Sequence, residues 1–268
     1  MSTEVGSGVE RIAEAFSTTT KRAALMPYLM GGFPTLEQSV RIGEAYVAAG
    51  ADLIELGVPY SDPLADGPVI HEAGTRALAA GASLGGVLEV ARALTPSVPV
   101  VLMCYANMVL APGAGAFVER LARAGVCGLI VPDLPVGEGP EVLEACDAHG
   151  LALVPLVAPT TTPGRMAMIG GQARGFLYTV SVVGTTGERE ALADSFAEMV
   201  GRAKASTSVP VALGFGIGTP EQARMAADAG ADGVIVGTRL VRAVSEAPED
   251  PAAAVSEVLH GLLAGLEA

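Results

Sequence analysis

The feature that most restricts this chain is a recurrence of short Val/Ile/Leu-rich runs separated by longer stretches of helical spacing. Eight runs stand out: 24–30 (ALMPYLM), 52–56 (DLIEL), 98–104 (VPVVLMC), 128–131 (GLIV), 151–157 (LALVPLV), 176–180 (FLYTV), 209–213 (VPVAL) and 233–237 (GVIVG). Unbroken apolar runs of this length are what strands covered on both faces require. Between them, spacing predicts helices. Leu36, Val40, Ile42, Ala45 and Val47 fall along one broad face, and Thr219 followed by Pro220 reads as an N-cap with proline at the first helical position. One joint repeats as AGADLIELG (49–57), AGVCGLIVP (124–132) and AGADGVIVG (229–237). In each, Ala-Gly closes a helix, with Gly free to take the left-handed cap conformation, and a buried strand follows at once.

Alternation of this kind predicts an α/β fold: a single (β/α)8 TIM barrel occupying residues 1–268. A doubly wound open sheet would also alternate, but regular units without a linker between halves favour closure. Amphipathic segments at 8–16 (Val9, Ile12, Phe16) and 252–266 (Val255, Leu259, Leu262, Leu266) are predicted as extra N-terminal and C-terminal helices on the barrel's outside or floor. The connections at 58–71 and 181–190 are long for strand-to-helix joins, and in a barrel both open on the C-terminal face, where active sites sit.

Composition narrows the function. A net charge of −13 argues against a nucleic-acid partner, which needs a basic face. It leaves room for a small phosphorylated ligand held by backbone N–H groups. No apolar run reaches the roughly 18 residues of a membrane span. The opening MSTEVGSGVERIAEAF lacks the basic flank and apolar block of a signal peptide, so the expected location is cytoplasmic. Cys104, Cys127 and Cys146 read as small core residues, and with His71, His149 and His260 they form no zinc spacing; no metal is expected.

Glu55 lies inside an apolar run. In an extended strand Leu53 and Glu55 point one way, Ile54 and Leu56 the other. A carboxylate facing the helix layer would be very costly. Facing the axis near the strand's C-terminal end, it would look into the barrel mouth, where partial burial raises its pKa and suits it to proton transfer. A structural ion pair is the other reading, but the strands offer almost no Lys or Arg. Asp62 and Asp66 follow in the loop. Both suit turns, and either could be brought opposite Glu55 to give two carboxyls in different environments. The glycines of LGFGIGTPEQ (213–222) and GVIVGTRL (233–240) lead into helix starts after the seventh and eighth strands, the usual phosphate position of such barrels. Gly184 and Gly187 could add further N–H groups.

The run LIELGVPYSDPLADGP, with PYLMGGFP, YANMV, VPDLP, GTTGER, GFGIGTPEQ and GADGVIVGTRLV in the same order, resembles the tryptophan synthase alpha subunit family over nearly the whole chain. The resemblance implies a lyase of L-tryptophan biosynthesis that cleaves indole-3-glycerol phosphate to indole and glyceraldehyde 3-phosphate. It implies Glu55 as general acid–base and Asp66 as the group that accepts from the indole N–H. It implies Tyr28, Tyr105, Ile130, Leu156, Tyr178 and Phe215 around the indole, with Thr186 in a lid that bonds Asp66. Gly187, Gly216, Gly237 and Thr238 would hold the phosphate. It implies no cofactor on this chain, and a pyridoxal-phosphate beta subunit as partner in an αββα heterotetramer, faced by Pro59, Asp62, Asn107 and Pro135. Met30-Gly31 stand where many members carry Thr-Ala, and Thr185 where Val is usual. The residues leave other readings open: a stand-alone lyase, another phosphate-binding barrel, or a non-catalytic allosteric partner.

Overall fold

The computed structural model describes residues 6–180, 189–214 and 216–267. Among these, parallel strands follow one another around a barrel: β1 (Ala24–Met30), β2 (Ile54–Gly57), β3 (Val100–Met103), β4 (Gly128–Ile130), β5, β6 (Leu177–Val180), β7 (Val211–Gly214) and β8 (Gly233–Val236). β5 is two pieces, Ala152–Val154 paired with β4 and Leu156–Val157 paired with β6. Pro155 separates them because it has no N–H to continue the ladder. Its carbonyl still accepts from Tyr178 N at 3.0 Å. β1 pairs with β2 on one side and β8 on the other, which completes the ring.

Side-chain parity divides the strands as the sequence predicts. Met26, Leu53, Val101, Ile130, Val154, Tyr178, Ala212 and Ile235 pack together inside the barrel. The alternate residues, such as Leu25, Ile54, Leu56, Leu102 and Val234, belong to the layer beneath the helices. The helix Leu36–Ala48 differs from expectation. Its buried face is Ser39, Ile42, Gly43 and Tyr46, while Leu36, Val40, Ala45 and Val47 flank it half-buried. Two contacts rotate it: Tyr46 Oη donates to Tyr28 O at 3.1 Å, and a Cβ on Gly43 would sit 2.4 Å from Leu94 Cδ1, so only glycine lets the helices approach.

The repeated joint does what its glycines suggest, with φ of +86°, +75° and +86° at Gly50, Gly125 and Gly230. Its aspartates have a second task that the pattern does not reveal. Asp52 Oδ2 accepts from Leu25 N at 2.7 Å and Asp232 Oδ2 from Val211 N at 2.8 Å, each at the start of the neighbouring strand. The other oxygen of each meets a lysine, Lys21 at 3.0 Å and Lys204 at 2.9 Å. These carboxylates therefore peg adjacent strands in register. In the middle copy Cys127 stands in the aspartate's place, and the N-terminal helix packs there instead: a Cβ on Gly8 would lie 2.3 Å from Cys127 O.

That helix, Gly8–Thr18, plugs the barrel floor. Ser7 and Glu10 form a reciprocal capping box at its start. Ile12 is fully buried among the interior residues, Phe16 meets Phe176 at 5.8 Å, and Arg11 donates to Thr95 O and Gly125 O. The C-terminal helix Pro251–Leu266 lies outside, against helices Leu36–Ala48, Pro220–Asp228 and Thr238–Glu246. Because the floor is remote from the mouth, Ile12→Ala is expected to lower stability by about 2–5 kcal/mol with turnover at 25 °C retained. Urea unfolding beside a turnover assay checks this; equal loss of both would show that the plug shapes the mouth.

Cys104, Cys127 and Cys146 are buried and unpaired by disulfides. Among the described residues no single helix is long and apolar enough to cross a membrane.

Candidate active site

Glu55 is the third-from-last residue of β2, in register with Tyr28 of β1 and Val101 of β3. It points inward with Leu53. Only 2% of it is exposed, and its Oε2 is buried without a hydrogen-bond partner among the described residues. Burial first, and the nearby Asp66 second, push its carboxyl up to about 8 from an ordinary 4.5. At neutral pH it therefore holds a proton.

Glu55 lines a cavity of about 480 Å³ at the C-terminal mouth. Glu55, Asp66, Tyr28 and Tyr178 line one side, and Gly216, Gly237 and Thr238 another. Asp66 is half-buried in the loop before helix Pro68–Ala79. Its carboxyl is raised by burial, opposed by a hydrogen bond from the Tyr105 hydroxyl and by His71. Tyr105 also accepts from Ala65 N at 3.1 Å and stacks on Tyr60 with ring centres 5.1 Å apart. The loop is thereby held with Asp66 toward Glu55. Of two like charges sharing a cavity, the one with a hydrogen-bond donor and solvent keeps its charge more readily. Asp66 has both, whereas Glu55 Oε2 has neither among the described residues. Burial first, then Asp66 and Glu55, raises the Tyr28 phenol well above its ordinary range, and burial, Glu55 and Tyr28 do the same for Tyr178, so both stay neutral.

Two strand glycines make room for those phenols. A Cβ on Gly57 would lie 2.0 Å from Tyr28 Oη, and one on Gly214 2.6 Å from Tyr178 Oη. Gly57→Ala is expected to drive the Tyr28 ring into the cavity and cost on the order of tenfold or more in kcat/KM. Combining it with Tyr28→Leu should recover part of the loss. A double variant no better than the single one would deny this contact.

The remaining expected site residues fall in several places. Ile130 is in the barrel interior beside Met103, and Leu156 lines a separate cavity of about 420 Å³ under the 131–140 segment. Asp62, Asn107 and Pro135 are exposed, whereas Pro59 is buried against helix Pro68–Ala79. Thr185, Thr186, Gly187 and Phe215, like Gly184, lie outside the described residues. Sequence reasoning missed Met103, Ile70, Ile235, Gln222, Arg239 and Arg242 on the cavity wall. Arg239 had a signal, since it follows Gly237-Thr238 directly; the apolar ones look like any core residue. Among the described residues no group of three or more His, Cys, Asp or Glu side chains is placed to hold a metal ion.

Fold and site together define a class: a (β/α)8 barrel whose mouth holds two carboxyls, Glu55 and Asp66, in one cavity with glycine-rich helix starts. Comparison with known proteins narrows it. The profile of the family described as "Tryptophan synthase alpha chain" matches residues 15–264. Tryptophan synthase alpha chains of Methanosarcina mazei and Carboxydothermus hydrogenoformans are 48% and 49% identical to this chain, over 92% of both chains in the first case and over 88% of this chain and 90% of its relative in the second. A crystal structure of tryptophan synthase from M. tuberculosis superposes with a TM-score of 0.87 at 38% identity, covering 96% of this chain and 98% of that one. The alpha subunit from Legionella pneumophila gives 0.87 at 35% identity, over 97% and 98%. The chain belongs to the tryptophan synthase alpha chain family, carbon–carbon lyases of tryptophan biosynthesis that cleave indole-3-glycerol phosphate.

Proposed function

We propose that this chain, as one barrel over residues 1–268, cleaves indole-3-glycerol phosphate with Glu55 and Asp66 as its working acids. The observation that carries this reading is Glu55, buried with an Oε2 that has no partner among the described residues, in the wall of the cavity it shares with Asp66 and the glycines. Glu55, protonated at neutral pH, delivers a proton to C3 of the indole ring. Asp66 accepts from the ring N–H and stabilises the resulting iminium-like tautomer. The bond from C3 to the glycerol chain then breaks, its electron pair returning to the ring. Glu55, now a carboxylate, takes the proton of the adjacent glycerol hydroxyl, which becomes the aldehyde. The acid ends as it began, and no cofactor enters. Gly216, Gly237 and Thr238 stand where the phosphate would anchor the chain, with Tyr28 and Tyr178 beside the ring.

The partner is a tryptophan synthase beta subunit, which receives the indole, in an αββα assembly in the cytoplasm. Membership of the tryptophan synthase alpha chain family supports this. Indole release with and without a beta subunit tests it. Slow release accelerated by the beta subunit is expected; fast release unaffected by it would favour a stand-alone lyase.

A further inference from the structure

Arg239 is the second residue of the helix Thr238–Glu246, whose first turn contains no acid. A cation there opposes the helix dipole unless an anion sits in front of it. The side chain is half-buried. Its stem runs along the backbone at Gly218, where a Cβ would meet Arg239 Cβ at 3.3 Å, Cγ at 3.6 Å and Cδ at 3.9 Å. It lines the catalytic cavity with Gly216, Thr219 and Gly237, and also the outer groove that holds Glu246 and Glu257. Among the described residues it makes no ion pair with either glutamate and no hydrogen bond.

Two backbone donors in the same place are already used. Gln222 Oε1 accepts from Gly218 N at 2.9 Å and from Thr219 N at 3.1 Å, which closes the start of helix Pro220–Asp228. An anion entering between the two helix starts therefore finds fewer free N–H groups than the glycine pattern suggests. It does find an unpaired guanidinium beside it. Glu55, 2% exposed and with an Oε2 that has no partner among the described residues, lines the same cavity and independently marks the space as one shaped for a ligand.

We infer that Arg239 is a phosphate-binding residue, supplying the side-chain charge that the glycine cradle lacks. This rests on the reading of the cavity as the substrate phosphate's seat. Reactant and transition state hold the phosphate alike, so the contribution is to binding, and its loss falls on KM rather than kcat.

Calorimetric titration of the purified chain with glycerol 3-phosphate tests this. Arg239→Gln is expected to weaken binding about tenfold, the low end for a charge-assisted hydrogen bond at a half-buried position, and to flatten the salt dependence of Kd. Arg239→Lys should recover part of the affinity. Arg120→Gln, on a distant exposed helix face, changes the net charge equally and should leave binding unchanged. With indole-3-glycerol phosphate, Arg239→Gln should raise KM. Wild-type affinity in Arg239→Gln, with binding lost in Gly237→Val, would overturn the inference and leave the phosphate site standing. Wild-type affinity in both variants would overturn the site as well.

Discussion

Glu55→Gln is expected to lower indole formation by about 10²–10⁴-fold and at the same time to make the protein more stable at alkaline pH. Both effects have one cause. The carboxyl is buried and its Oε2 has no partner among the described residues, so its charged form is disfavoured. Its pKa is about 8 in the folded chain against an ordinary 4.5. Between those values the folded chain keeps a proton that the unfolded chain has released. Stability therefore falls as pH rises through that window and levels off above it. Glutamine carries no such cost. The stability difference between variant and wild type should be small near pH 4, widen with pH and flatten above pH 8, at a value on the order of a few kcal/mol. Urea unfolding at several pH values reads it. Parallel stability curves for the two proteins would mean that Glu55 is not buried as an acid. Wild-type kcat/KM should fall along the same alkaline limb, as the proton that Glu55 must donate is lost.

Asp66→Asn is expected to be comparably severe for turnover, about 10²–10⁴-fold, with little change in stability. Asparagine keeps the shape but offers the indole N–H a neutral acceptor, which cannot stabilise positive charge on the ring nitrogen. The residue is half-buried in a loop tied by Tyr105, so the fold does not depend on it. A second readout separates electrostatics from packing. After burial, Asp66 is the group that raises the Glu55 carboxyl. Removing its charge should move the alkaline limb of the residual activity to lower pH. An unmoved limb would mean that the two carboxyls do not face one another.

Much of this was legible in the chain. The regular alternation of apolar runs, with no linker between halves, favoured a barrel over an open sheet, and strand parity with the cost of a carboxylate under the helices placed Glu55 inward. The glycines after β7 and β8 pointed to the mouth of the barrel, and Gly216 and Gly237 line its cavity. Other parts depend on partners that sequence does not display. That Asp52 and Asp232 peg neighbouring strands is invisible until Leu25 and Val211 are in register beside them. Gly57 reads as a strand-ending turn glycine, yet its role is set by a phenol from β1. The face of helix Leu36–Ala48 was misjudged because Ser39 and Gly43 are neither apolar nor large, and they are buried for hydrogen bonding and close approach instead. The break in β5 was readable, since Pro155 sits inside LALVPLV and proline cannot continue a ladder.

The central claim is that this cavity splits a carbon–carbon bond using only the chain's own acids. Its most direct test is to incubate the purified chain with indole-3-glycerol phosphate in EDTA and quantify both products by chromatography. The account expects indole and glyceraldehyde 3-phosphate in equal amounts, formed by the wild type and nearly absent with Glu55→Gln. Absence of both products from the wild type, alone and with a beta subunit, or equal rates in the two proteins, would contradict it.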